Sequence, residues 1–166
     1  MLRKIALTFS FLLAATIVSA QPKQAPNLYL RDLNNRPVKM SSYRGKVVLI
    51  NFWATWCIPC RAEIPDLIKM QQRYRNAGLR IVGITYPPEE KSEVRRFARA
   101  LRINYRIGMG TKAIKALFTA SETLPMTIII DRDGFVRDVI EGIMYADEFD
   151  EKVKPLLATE HHAARL

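Results

Sequence analysis

Three runs of the chain are largely apolar, and they set the frame for the rest. Lys46 to Trp53 contains Val47-Val48-Leu49-Ile50-Asn51-Phe52-Trp53, a β-branched and aromatic stretch of the kind buried on both faces of a sheet. Leu79 to Thr85 and Met126 to Asp131 have the same character. Between the first two, Ile64, Leu67, Ile68 and Tyr74 recur at helical spacing, and Asn76-Ala77-Gly78 ends that pattern. Strand, helix, strand in this order predicts a parallel crossover of right hand. A second amphipathic helix is expected over about Glu89 to Leu101, with Val94, Phe97, Ala98 and Leu101 on its apolar side.

Shorter elements fill the gaps. Leu28 to Leu33 and Val38 to Met40 flank Asn34-Asn35-Arg36-Pro37, a hairpin turn by composition. Ser41 to Gly45 reads as a turn or helical stub closed by its glycine. Tyr105 to Met109 is extended and Lys112 to Phe118 a short helix. Asp131-Arg132-Asp133-Gly134 is a tight turn that returns the chain antiparallel through Phe135 to Glu141, and Ala146 to Leu157 makes a last helix. The sum is an α/β domain: a central mixed sheet flanked by helices, with an added N-terminal hairpin, over residues 28–158.

The two ends read differently. Arg3 and Lys4, the apolar run Ile5 to Val18, and the small residues Val18-Ser19-Ala20 have the layout of a signal peptide over residues 1–20. The run is shorter than the roughly 20 residues of a comfortable membrane span, so cleavage is preferred over an uncleaved anchor. Residues 21–27 hold two prolines and form an extended lead-in or linker. Residues 159–166 read as a disordered tail. Net charge is +10, or +8 once Arg3 and Lys4 are removed. Lys91, Arg95, Arg96, Arg99 and Arg102 account for much of it as a solvated helix face. No aromatic-interleaved basic motif is present, so nucleic acid is not expected as a partner, while attraction of an acidic partner stays open.

Only two cysteines occur, as Cys57-Ile58-Pro59-Cys60. A bridge across two residues closes too short a loop to stabilise a fold much, so in an exported chain the pair points to redox chemistry. Metal binding is disfavoured: zinc takes four ligands, and the two histidines, His161 and His162, sit in the polar tail. A strand feeding a helix places Cys57 where unpaired N–H groups and the helix dipole favour a thiolate. Cys57 is expected to be exposed and to attack first, with Cys60, one turn in, shielded and resolving the mixed disulfide. Pro59 suits the first turn of a helix, where a missing N–H is harmless.

The segment Asn51-Phe52-Trp53-Ala54-Thr55-Trp56-Cys57-Ile58-Pro59-Cys60-Arg61-Ala62-Glu63-Ile64-Pro65 resembles the active-site stretch of thioredoxins. It is most similar to the exported TlpA/ResA-type branch, disulfide reductases linked to cytochrome c maturation. The resemblance covers about Ala25 to Leu157 and implies a thioredoxin-like fold. It further implies that Glu63 takes over the proton-accepting role of a carboxylate many relatives carry where this chain has Asn51, against the plainer reading of a solvated helix residue. Pro125, in Leu124-Pro125-Met126-Thr127, falls at the place of the family's cis-proline. Leu124 departs from the threonine or valine that is commoner there. By the same resemblance Trp56, Pro59, Leu124 and Pro125 border the substrate. Tyr86-Pro87-Pro88 and Tyr105 are read as loop and core residues before groove residues.

The expected partners are disulfide-bearing proteins and a membrane thiol-electron donor, for a monomer or weak dimer that needs no cofactor beyond its two sulfurs. Two other classes fit the residues less well. A thiol peroxidase of the related fold usually places proline and threonine before a lone cysteine, unlike Thr55-Trp56-Cys57. A copper carrier would want a third soft or imidazole ligand near the pair.

Overall fold

A computed structural model describes residues 23–86 and 88–158. The expected signal segment 1–20, residues 21–22 of the lead-in, Pro87, and the tail 159–166 with both histidines lie outside the described residues. A five-stranded sheet has the order β5-β4-β3-β6-β7. Its strands are β3 (Val47–Trp53), β4 (Leu79–Thr85), β5 (Arg106–Met109), β6 (Met126–Ile130) and β7 (Val136–Glu141). β3 runs parallel to β4, and β4 to β5, while β6 lies antiparallel between β3 and β7. The central strand β3 is buried at every position, as a run with a single polar residue, Asn51, allows when helices and hairpin cover both faces.

The alternation of β3 divides the interior in two. Val47, Leu49 and Trp53 face a core shared with α1 (Ile58–Tyr74), α2 (Lys91–Ala100) and α4 (Ala146–Lys152) through Ile64, Leu67, Val94 and Phe149. Val48, Ile50 and Phe52 face a second core closed by Leu28, Leu30 and Val38 of the N-terminal hairpin, with Ile114 of α3 (Lys112–Ala116) at its margin. The hairpin pairs β1 (Tyr29–Arg31) with β2 (Pro37–Lys39) and leans on β5. Gly108 makes that approach possible, since a Cβ there would lie 2.1 Å from Leu30 Cδ1.

Two elements differ from the sequence reading. The expected last helix is split at Val153 into α4 and α5 (Lys154–Ala158), because Pro155 has no N–H to give the carbonyl four residues back. The lead-in is extended but also tied down. Gln24 bridges Phe135, Ala25 N–H donates to Gly134 O at 2.8 Å, and Val136 N–H donates to Lys23 O at 2.8 Å.

Candidate active site

β3 ends at Trp53 and the chain turns through Ala54-Thr55-Trp56 into α1. Glu89 holds that turn from the side: its carboxylate accepts from Thr55 N–H at 3.1 Å and also from the Thr55 hydroxyl. Cys57 is the N-cap of α1, with extended backbone (φ −76°, ψ 106°), and its sulfur accepts from the N–H of Cys60 at 3.2 Å. The sulfur thus occupies the position where a serine or aspartate oxygen would satisfy an orphan donor of the first turn. A thiolate there would receive the same donor and the positive end of the dipole. Pro59 lies in this first turn, where the helix asks for no N–H, and Pro65 lies further inside α1.

Cys57 and Cys60 are joined in a disulfide. The expectation that Cys57 is exposed needs correction: it is 5% exposed and Cys60 0%. The reason is that the N-cap sulfur folds over its own first turn, and both sulfurs join the core beneath α1. What faces solvent instead is an apolar rim, Trp56 at 62% and Ile58 at 78% exposure. Of the two, Cys57 is the less buried.

Glu63 is no solvated helix residue. It lies on the same side of α1 as Cys60 and Ile64 and is 2% exposed. Its carboxylate accepts from Asn51 Nδ2 at 2.9 Å and from Met144 N–H at 2.8 Å. Asn51 also donates to Thr127 Oγ1 at 3.0 Å, its directly opposed residue on β6. None of these donors is a cation. Burial pushes the Glu63 carboxyl up to about 7, against the pull of the hydrogen bonds from Met144 and Asn51, and with a push from the Glu148 and Asp66 carboxylates. Tyr105, nearly buried in the same core, has a hydroxyl without a hydrogen-bond partner among the described residues. Burial and the Glu63 charge hold it well above the usual tyrosine range.

Sequence reasoning missed this network. In the sequence Asn51 stands out only as the residue in the place of a relative's carboxylate. The alternation of β3, which places Asn51 on the α1 face with Leu49 and Trp53, was the available signal. Met144 enters through a backbone N–H, which no sequence pattern marks.

The third part of the site is the strand start at β6. The Leu124–Pro125 peptide is cis, as the family resemblance implied. Met126 stands opposite Phe52, so Pro125 lies at the same end of the sheet as the Cys57 turn. Pro125 is buried, Leu124 packs half-buried against both cores, and Pro125 O accepts from Gly142 N–H at 2.8 Å. Tyr86 and Tyr105 are buried, and Pro88 is exposed. The Tyr86 hydroxyl bonds to the Glu122 carboxylate and the Lys115 ammonium lies 4.9 Å over the Tyr86 ring. Among the described residues, no three His, Cys, Asp or Glu side chains gather as a metal ion would require.

Residues 22–139 match the AhpC/TSA family. Over 133 residues the chain is 36% identical to the thioredoxin-like protein YneN of Bacillus subtilis (strain 168), covering 79% of this chain and 77% of that one. It is 32% identical over 134 residues to the thiol-disulfide oxidoreductase ResA of Geobacillus kaustophilus (strain HTA426), covering 79% and 76%. Among solved structures, a thioredoxin-family thiol:disulfide interchange protein from Chlorobium tepidum TLS superposes with a TM-score of 0.77 at 32% identity, over 84% of this chain and 99% of that one. Kinship and local chemistry agree: the chain belongs to the AhpC/TSA family, and within it to the thioredoxin-like thiol–disulfide oxidoreductases of the ResA type.

Proposed function

We propose that the protein is an exported disulfide reductase, acting in the periplasm on disulfide-bearing proteins, apocytochrome c among them. The observation that carries this reading is a buried carboxylate, Glu63, on the same helix side as the resolving cysteine and titrating near neutrality. In the reduced protein the Cys57 thiolate attacks a substrate disulfide, forming a mixed disulfide and releasing one substrate thiolate. Glu63 takes the proton of Cys60. The Cys60 thiolate then attacks Cys57 Sγ, the substrate leaves as its second thiolate, and two electrons have moved from protein to substrate. A membrane thiol donor returns the protein to the dithiol.

The substrate chain lies over Trp56 and Pro59 and against the backbone at Leu124–Pro125, with the apolar rim supplying contact area. Direction follows from electrostatics. A strong oxidant must stabilise its thiolate heavily. A carboxylate near the sulfurs works the other way, and the Arg61 guanidinium, stacked 5.7 Å from the Phe97 ring, is an exposed cation screened by water.

The test is kinetic trapping with a thermodynamic arm. Cys60→Ser should accumulate mixed disulfides with substrate and Cys57→Ser should not. Equal trapping by both would refute the order of attack. The reduction potential should fall nearer the roughly −270 mV of thioredoxin than the roughly −120 mV of a strong periplasmic oxidant, and a value at the latter end would overturn the direction.

A further inference from the structure

The exchange reaction makes no use of the arginines of α2. They do not simply face solvent. A cavity of about 890 Å3 opens beside the edge strand β5, between α2 and the turn of the hairpin. Arg95, Arg99 and Arg102 line it from the α2 side, Arg36 from the hairpin turn and Arg106 from β5. One carboxylate, Asp32, lines it too, and that carboxylate is saturated. It accepts from the backbone N–H groups of Asn34 and Arg36 at 2.8 and 2.9 Å, and it pairs with Arg106 at 2.8 Å. Arg95 is also engaged, donating to Leu33 O. Those two arginines fasten the hairpin to α2 and β5. Arg36, Arg99 and Arg102 are exposed and pair with no carboxylate of the described residues.

Arg102 carries a second, independent observation. α2 ends in a pair of reversed hydrogen bonds, Ile103 N–H to Ala98 O at 3.0 Å and Arg102 N–H to Arg99 O at 3.1 Å. That closure puts one residue in the left-handed region, a place where glycine is the usual occupant. Here it is Arg102, at φ 53°. A bulky residue held at such a backbone position is a departure from what folding alone favours, and it places a guanidinium at the cleft mouth. Cations near a helix C-terminus complement its dipole, which accounts for Arg99, but Arg36 stands on a different element.

We propose that this cleft docks an acidic peptide segment, a run of Asp and Glu side chains on the protein whose disulfide is exchanged. The chemistry favours this occupant. The three cations without a carboxylate partner, Arg36, Arg99 and Arg102, are arginines, whose planar forks match carboxylates two bonds at a time, and the surface is concave, which suits a chain entering it better than a flat membrane. The cleft lies on β5, two strands from β3 and outside the Cys57 site, so it adds orientation and encounter rate without touching the sulfurs. Only the identity of the partner rests on the function proposed above.

The test uses fluorescein-labelled hexaglutamate, which carries no cysteine, and reads anisotropy at low and at physiological salt. The protein should bind it, more weakly as salt rises. Arg99→Glu with Arg102→Glu should weaken binding about tenfold or more. Lys69→Glu with Arg73→Glu on α1 changes net charge equally and should leave binding unchanged. Arg102→Gly should weaken binding several-fold while the melting temperature stays level or rises, a pair of signs that a folding defect does not produce. No binding, equal loss in the α1 control, or binding confined to phosphatidylglycerol vesicles would overturn the proposal. In an exchange assay, Arg99→Glu with Arg102→Glu should slow a disulfide peptide with a glutamate tail and spare the same peptide without one; equal rates would overturn it. Absence of turnover of either peptide by the unaltered protein, with hexaglutamate still bound, would defeat the exchange reading and leave the cleft standing.

Discussion

Two buried carboxylates, one at each end of the molecule's charge landscape, receive similar numbers of hydrogen bonds and titrate in opposite directions. At the base of the hairpin, burial alone would raise Asp32, but the Arg106 guanidinium and the N–H groups of Arg36 and Asn34 hold its carboxyl below the usual range. Beneath α1, Glu63 also has its oxygens satisfied, yet by a backbone amide and a side-chain amide only, and burial wins. Asp32 has a cation beside it, whereas Glu63 is more deeply buried and faces the Glu148 and Asp66 carboxylates instead. Hydrogen bonds from neutral donors make a buried charge tolerable, whereas a paired opposite charge makes it preferred. The first arrangement leaves a group that can gain and lose a proton near neutral pH, and the second locks a structural ion in place.

Replacing Glu63 by glutamine should break the comparison most. Its folded value near 7 lies above its ordinary 4.5, so the native state binds the extra proton between those values. That contribution to stability is fully present below about pH 4.5 and is lost as pH rises through about 7, amounting to roughly 3 kcal/mol at most. Urea unfolding of both proteins across this range should show the unaltered chain declining relative to Glu63→Gln. The exchange rate of the unaltered protein should inflect in the same window and that of the variant should not. Parallel stability curves would mean Glu63 is not the titrating group.

Asp32→Ala should have the next largest effect, about 2 kcal/mol lost at neutral pH, because Arg106 and two N–H groups are left without their acceptor. The sign with pH is reversed here. The Asp32 contribution is present above about pH 4 and lost as pH falls below it, so the gap between variant and parent should close in acid. A gap that widens as pH falls would contradict the lowered value. Thr127→Val sharpens the comparison least. It removes one acceptor of Asn51 while keeping the shape, for about 1 kcal/mol by thermal unfolding and no change at the hairpin.

Much of the fold was legible because its central strands are apolar on both faces, and a seven-residue run such as Val47–Trp53 has few other uses. The disulfide and its position at a helix start were legible from Trp56-Cys57-Ile58-Pro59-Cys60, since local geometry follows from local sequence. The carboxylate network was only half legible. Glu63 shares the buried side of α1 with Cys60, Ile64 and Leu67, and that spacing alone argued against a solvated residue. Its partners come from β3 and from the backbone at Met144, a separation of 81 positions that no pattern spans. The arginine cleft was invisible for a related reason. The cations of α2 form an ordinary polar face by periodicity, and only the docking of the hairpin onto β5 brings Arg36 and Arg106 to meet them. Pro155, by contrast, was in plain view as a helix breaker, and the split between α4 and α5 could have been read from it.

The ladder that fastens Lys23–Ala25 to the start of β7 also fixes where the described chain enters the domain. Phe135 and Val136 sit at the far end of the sheet from the Phe52–Met126–Glu141 row, four residue steps or about 13 Å along the strands. The chain therefore enters the domain at its rear. The Trp56–Ile58 rim lies at the opposite end of the strands, so the tie at Lys23–Ala25 leaves it clear.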